Sequence, residues 1–215
     1  MPAHGKFAPA VPSPVRVLLA TSNPGKVREY AGLVGDSPLD LAPFPNFPDI
    51  PVFEESAPTF AENAAGKALH YSRHASEIVL ADDSGLVVPA LGGAPGVHSA
   101  RYAGPDATDA DRVRKLLRAM EGKEGSNRRA RFICVVAMAR QGRVLAVVSD
   151  LAEGMLTNEP RGSGGFGYDP IFFFEQLGRT YAEASQEEKN LHSHRGKTFR
   201  KALAVLAGSN LVTFS

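Results

Sequence analysis

Two adjacent carboxylates and a hydroxyl, Asp82-Asp83-Ser84, follow the apolar run Ile78-Val79-Leu80 and precede Gly85. The pattern predicts a strand that ends at the carboxylates, with the backbone turning at Gly85. Like charges held side by side raise each other's pKa. Such a pair is useful where a divalent cation neutralises it, or where one member works as a base. Asp, Ser and Gly are also ordinary turn formers, so the chemistry depends on what else the chain supplies.

It supplies groups suited to an anionic, planar ligand of the nucleoside triphosphate kind. Ser22-Asn23-Pro24-Gly25-Lys26 predicts free backbone amides and an ammonium at a helix start, where phosphate is readily held. Arg161 to Phe166 is a basic, glycine-rich and mobile loop beside Phe166 and Tyr168, aromatic faces on which a base can stack. Lys189, His194 and Arg195 add three donors near another helix start. Two phosphate-loop patterns fail on context. Gly162 to Gly167 fits G-x-G-x-x-G but runs into an aromatic strand, and Gly196-Lys197-Thr198 lacks the glycine a Walker loop needs, because Leu191 stands there. His70 and His74, one helical turn apart, read as surface histidines.

The elements that must position these groups alternate between strand and helix. Val15 to Ala20 is a short strand, Thr21-Ser22-Asn23 a cap, and Pro24 a first helical turn leading into Lys26 to Val34. Pro38 to Pro58 reads as an irregular connection with one edge strand. Thr59 opens a helix through a capping box with Glu62 and runs to about Ala75. Thr108-Asp109-Ala110-Asp111 caps a helix with Val113, Leu116, Leu117 and Met120 on one face. Arg131 to Ala139 and Arg143 to Ser149, joined by Gln141-Gly142, form a hairpin, and Tyr168 to Phe174 another strand. A short helix starts at Ser185 and the last spans Gly196 to Ala207. Hairpin strands among helices predict an α/β protein with a mixed sheet.

The 215 residues suffice to bury roughly 70% of the unfolded surface in a core that needs no staple. Cys134, within Phe132-Ile133-Cys134-Val135-Val136, is the sole cysteine, which excludes disulfides within the chain and a cysteine zinc site and fits a reducing, cytoplasmic setting. Met1 to Pro14 reads as a flexible tail, neither signal peptide nor membrane span, ahead of a single domain over 15–215. With a net charge of +1, the basic residues between Arg112 and Arg131 read as a solvated helix face, predicting no nucleic-acid partner.

Thr21 to Lys26, Phe60 with Glu62-Asn63-Ala64, Ala81 to Leu86, Pro95 to Tyr102, Gly165 to Pro170 and Ser193 to Gly196 resemble, in order, the signatures of the inosine triphosphate pyrophosphatase (Ham1-like) family. The resemblance covers about Val15 to Ala207 and implies an elongated mixed sheet flanked by helices, with two lobes around a central nucleotide-binding cleft. It implies a homodimer that uses Mg²⁺ to hydrolyse ITP, dITP and XTP to the monophosphate and pyrophosphate. Carried over, Thr21, Ser22, Asn23, Pro24, Gly25 and Lys26 hold the triphosphate. Asp83 is proton acceptor and metal ligand, and Ser84 touches substrate. Phe166, Gly167, Tyr168 and Asp169 frame the base, while Lys189, His194 and Arg195 close over it. The upstream acidic metal residue is Glu55 by spacing, with Glu54 as the alternative, and Asp82 is a further possible metal ligand. Ser56-Ala57-Pro58 replaces the family's usual Thr-Gly, and the tail has no counterpart. A Maf-like pyrophosphatase of modified nucleotides and a non-catalytic nucleotide-binding protein are the competing readings.

Overall fold

The computed structural model describes residues 15–208 except Asp36 and Pro38; the predicted tail, Met1 to Pro14, lies outside the described residues. One seven-stranded sheet runs through them in the order β2-β1-β3-β4-β5-β6-β7. Its strands are β1 (Val15–Leu19), β2 (Leu39–Pro43), β3 (Ile78–Val87), β4 (Arg129–Arg140), β5 (Arg143–Leu156), β6 (Phe172–Phe174) and β7 (Arg179–Thr180). β2, β1 and β3 are parallel, and every pairing from β3 to β7 is antiparallel. The predicted edge strand is thus β2, and the sheet is mixed as expected. The hairpin at Gln141-Gly142 has positive φ at both residues, which suits the tight two-residue turn. Its strands run longer than predicted, because β5 is half exposed and its alternation is blurred. The Tyr168 to Phe174 strand shortens to β6, since Asp169–Ile171 form a 3₁₀ turn around Pro170.

Five α-helices flank the sheet among the described residues: α1 (Pro24–Val34), α2 (Phe60–Ser72), α3 (Asp109–Ala119), α4 (Gln186–His192) and α5 (His194–Gly208). α5 starts two residues before Gly196. Side chains alternate across a strand, so β3 feeds two cores. Ile78 and Leu80 pack with Tyr30 of α1 and with Phe199, Ala202 and Leu206 of α5. Val79 and Ala81 pack with Ala64, Ala68 and Tyr71 of α2. A third cluster gathers Leu86, Leu116, Met120, Phe132, Phe172 and Tyr181 toward α3 and the short strands. Cys134 is fully buried in the first of these layers and burial pushes its thiol up to about 12, consistent with an inert core residue. Within the basic stretch Arg128 departs from the solvated reading: it is buried and its guanidinium donates to the carbonyls of Leu156, Thr157, Lys123 and Met120. No helix among the described residues is long and apolar enough to cross a membrane.

Candidate active site

Asp82, Asp83, Ser84 and Gly85 do not end a strand. They lie inside β3, paired along their length with β4 (Asp82 opposite Val136, Asp83 opposite Val135). Tertiary pairing has overridden the local turn preference, and Gly85 is small for a different reason. A Cβ there would stand 2.4 Å from Ser99 Oγ and 2.5 Å from the Gly96 carbonyl, so the glycine admits the 96–101 turn against the strand. Alternation then separates the two carboxylates. Asp82 shares the α1 and α5 face with Leu80, and Asp83 shares the α2 face with Ala81.

Asp82 is fully buried. Its Oδ1 lies 3.0 Å from Lys26 Nζ, and its Oδ2 accepts from Arg195 Nε and Nη2, both at 3.2 Å. Burial alone would raise its carboxyl, but Lys26 and Arg195 outweigh that and hold it well below the usual range. Asp82 is one end of a buried ion network that sequence reasoning did not anticipate. Glu29, on α1, is 2% exposed; it pairs with Arg195 Nη1 and, at 2.5 Å, with Lys189 Nζ. Lys189 in turn pairs with Asp169, whose Oδ2 also accepts from the Phe166 amide at 2.8 Å. Against burial, Arg195 and Lys189 keep the Glu29 carboxyl below its ordinary value. The one hint in the chain is spacing: Glu29 lies three positions after Lys26, on the same side of a helix.

Asp83 is held differently. One oxygen accepts from Asn63 Nδ2 at 3.0 Å and the other from the Ser84 amide at 2.8 Å. Burial pushes its carboxyl up to about 6; Lys26 opposes this, while Glu55 and, least of all, Asp82 add to it. The expected mutual repulsion of the Asp pair is therefore a minor contribution and burial the major one. Glu55 is half-buried and 2.6 Å from Lys67 Nζ. Burial works to lower the Lys67 pKa, but Glu55, Asp82 and Asp83 outweigh it and raise it, so a cation is already favoured between these acids. Glu54 is exposed. Among the described residues no group of three or more His, Cys, Asp or Glu side chains gathers into a metal cage.

At the start of α1 the amides are not free. Asn23 Oδ1 accepts from the Gly25 and Lys26 amides at 2.9 and 3.2 Å, and Thr21 Oγ1 accepts from the Asn23 amide. The Asn23 side chain thus engages the Gly25 and Lys26 amides that were expected to be free, with Lys26 as the cationic element beside them. Ser22 and Pro24 are exposed. Gly25 is covered by the Phe166 ring, which a Cβ would meet at 2.6 Å.

A cavity opens where these parts meet. Phe166, Gly167, Tyr168 and Asp169 form one wall, Lys189, His194 and Arg195 a second, and Asn23, Ser84 and Gly85 a third. Sequence reasoning missed Phe132, Ser99, Ala100, Asp109 and Arg112, which complete it. Phe132 read as core and Asp109 as helix cap, and nothing local marks either as a wall. Lys189 Nζ and the Arg195 guanidinium carbon lie 5.1 and 5.6 Å from the Phe166 ring centre, within cation–π range. The loop expected to be mobile is tethered: Gly164 N donates to the Ala182 carbonyl, Phe166 N to Asp169, and Gly167 N to Asp109. Tyr168 is buried, with its hydroxyl donating to the Ser99 carbonyl at 2.9 Å. His194 stacks flat on Phe132 at 4.7 Å. Burial, Arg195 and Lys189 push its pKa well below the ordinary value, so the ring is neutral, and its Nδ1 has no hydrogen-bond partner among the described residues. Arg195 spends its remaining reach on Ser84 Oγ at 2.7 Å, tying the cavity to the strand that carries Asp83. His70 sits away from this cavity, its Nε2 2.7 Å from the Pro51 carbonyl.

Fold and site together define an α/β protein built around a cation-walled, aromatic cleft with a buried carboxylate of raised pKa beside it. The chain belongs to the Ham1 family, whose model matches residues 17–205. It is 50% identical to the dITP/XTP pyrophosphatase of Geobacillus kaustophilus over 86% of this chain and 91% of that one. It is 45% identical to the dITP/XTP pyrophosphatase of Escherichia coli K12 over 89% and 98%. Among solved structures, a Ham1 protein from Coxiella burnetii superposes with a TM-score of 0.81 at 42% identity, covering 91% of this chain and all of that one.

Proposed function

We infer that this protein is a nucleoside triphosphate pyrophosphatase that hydrolyses the non-standard purine nucleotides ITP, dITP and XTP to monophosphate and pyrophosphate. The observation that carries the reading is the buried Asp83, its carboxyl raised to about 6, next along β3 to Ser84, which lines a cavity with Lys189, His194 and Arg195. A base works best with a pKa near the operating pH. In our reading water attacks the α-phosphorus, Asp83 accepts or orients its proton, and pyrophosphate leaves. Lys26 and Lys189 offset charge on the phosphates, work for which one well-placed donor contributes on the order of 10²-fold in rate.

Asp83 and Glu55 offer oxygen ligands only, with a cation already favoured between the acids, which suits Mg²⁺, an ion that takes one or two carboxylates together with substrate phosphates. When bound there it would supply charge neutralisation on the phosphate oxygens. Asp82 has both oxygens committed to Lys26 and Arg195, and we leave it out of the ligand set. Base choice rests on the 6-oxo group of hypoxanthine and xanthine, an acceptor where adenine has an amino donor. Since Nε, Nη1 and Nη2 of Arg195 are all engaged, His194, which lines the cavity, is the partner we assign to the 6-oxo group. Hydrogen-bond discrimination of this kind reaches roughly 10⁴.

We also propose a cytoplasmic homodimer. Val144, Val147 and Leu151, exposed on β5, support a self-contact, which light scattering would test. The function is tested by pyrophosphate release from ITP, XTP, dUTP, ATP and modified pyrimidine triphosphates, with and without Mg²⁺. ITP and XTP are the expected substrates. Equal cleavage of ATP would refute the base reading, and preference for modified pyrimidines would favour a Maf-like activity.

A further inference from the structure

We propose that Asp109, the first residue of α3, is a positioning residue for the nucleobase: it sets where the Phe166-Gly167 wall of the cleft stands. This rests on the pyrophosphatase reading and deepens it. Asp109 Oδ2 accepts from the Gly167 amide at 2.7 Å, across 58 residues of chain. Its Oδ1 is 2.5 Å from Arg112 Nη2, and Arg112 Nη1 donates to the Ala100 and Ala107 carbonyls at 2.7 and 2.6 Å. The carboxylate is thereby aimed from a fixed point on α3. The preceding amide, Phe166 N, goes to Asp169, so consecutive amides of the wall are drawn to carboxylates on opposite sides.

What lies behind the wall makes the Asp109 contact decisive. Asp109 and Gly167 line the cleft and also a second, more open hollow bounded by Val113, Leu117, Pro160 and Pro170. A Cβ built on Gly167 would meet nothing within 4 Å. Phe166 and Tyr168 on either side are tied to Asp169 and Ser99, while the Gly167 amide itself is held at the rim of the hollow by Asp109. Phe166, one residue away, carries the aromatic face set against Lys189 and Arg195, so a displaced Gly167 moves the surface a purine would meet. The reacting phosphate end of the site, near Asp83, is untouched by the change.

The test compares Asp109→Ala with Asp109→Asn, whose amide oxygen still accepts from Gly167. Asp109→Ala is expected to raise KM for ITP on the order of ten-fold, as loss of one hydrogen bond to a charged group predicts, with kcat within about two-fold by the same argument. Asp109→Asn keeps an oxygen for the Gly167 amide but turns its amide nitrogen toward Arg112, so it is expected to lose clearly less affinity than Asp109→Ala. A role limited to helix-start electrostatics would lower Tm in both variants alike and leave KM unmoved. If Asp109→Ala fails to fold, Asp109→Ser, too short to reach the amide, takes its place. ITP affinity by calorimetry in an Asp83→Asn background reads the wall without turnover, so absence of pyrophosphate release would sink the functional reading while leaving this one open to measurement. An unchanged KM and affinity in the Ala or Ser variant, or an Asn variant as impaired as they are, would overturn the proposal.

Discussion

The two faces of β3 carry the same side chain in adjacent positions and use it in opposite ways. On the α1 and α5 face, Asp82 is locked with Lys26 and Arg195 into a network that continues through Glu29 and Lys189 to Asp169. On the α2 face, Asp83 has one neutral side-chain partner, Asn63, and its own strand's amide. Burial is the first influence on both carboxyls, raising each. Only on the first face do cations reverse it. A buried carboxylate with full cationic partnership is architecture, and one left short of it is poised for proton transfer. The difference comes from the partners that the tertiary fold brings to each face.

Breaking the locked face has the largest expected effect on stability. Asp82→Asn leaves Arg195 and Lys26 undercompensated in the interior, and removing one member of a buried pair costs about 3–5 kcal/mol. Urea denaturation measures this, and a loss below about 1 kcal/mol would mean that the network behaves like a surface one. Glu29→Gln is milder, about 1.5–3 kcal/mol, because Lys189 keeps Asp169 and Arg195 keeps Asp82. It should also weaken ITP binding, since both cations line the cleft.

On the other face the sign reverses. The folded pKa of Asp83 is raised from an ordinary 3.8 to about 6, so the folded state binds the proton more tightly than the unfolded one. Its contribution to stability is complete below the ordinary value and is lost as pH rises through about 6. Asp83→Asn should therefore leave the metal-free protein more stable than wild type above neutral pH, by on the order of 1–3 kcal/mol, with the gain shrinking as pH falls. Thermal melts across pH check this; a variant less stable at high pH would contradict it. The smallest effect is spectroscopic. His194, pushed down by burial, Arg195 and Lys189, should show imidazole NMR shifts that stay flat through the neutral range. A normal titration of His194 would mean that the cleft is wetter than its packing indicates.

Much of this division was legible in the chain. Lys26, Lys189, His194 and Arg195 stand out as donors by residue type, and the family resemblance adds the role of Asp83. The turn at Gly85 was misread because Asp, Ser and Gly favour turns locally, whereas pairing with β4 holds them extended. Glu29, Asn63 and Lys67 had no assigned role and Asp109 only that of a helix cap, since each acquires its meaning from partners distant in sequence. Arg195 is 166 residues from Glu29 and Gly167 is 58 from Asp109. Which aspartate is locked and which is poised follows from strand alternation, which needs the strand's true extent to be known.

The most direct test of that division is the turnover of Asp83→Asn with ITP and Mg²⁺, read as pyrophosphate release alongside ITP affinity. The account predicts binding within a few-fold of wild type and a fall in kcat on the order of 10³-fold, the usual span for a lost general base. Near-normal turnover in a folded, ITP-binding Asp83→Asn protein would contradict it.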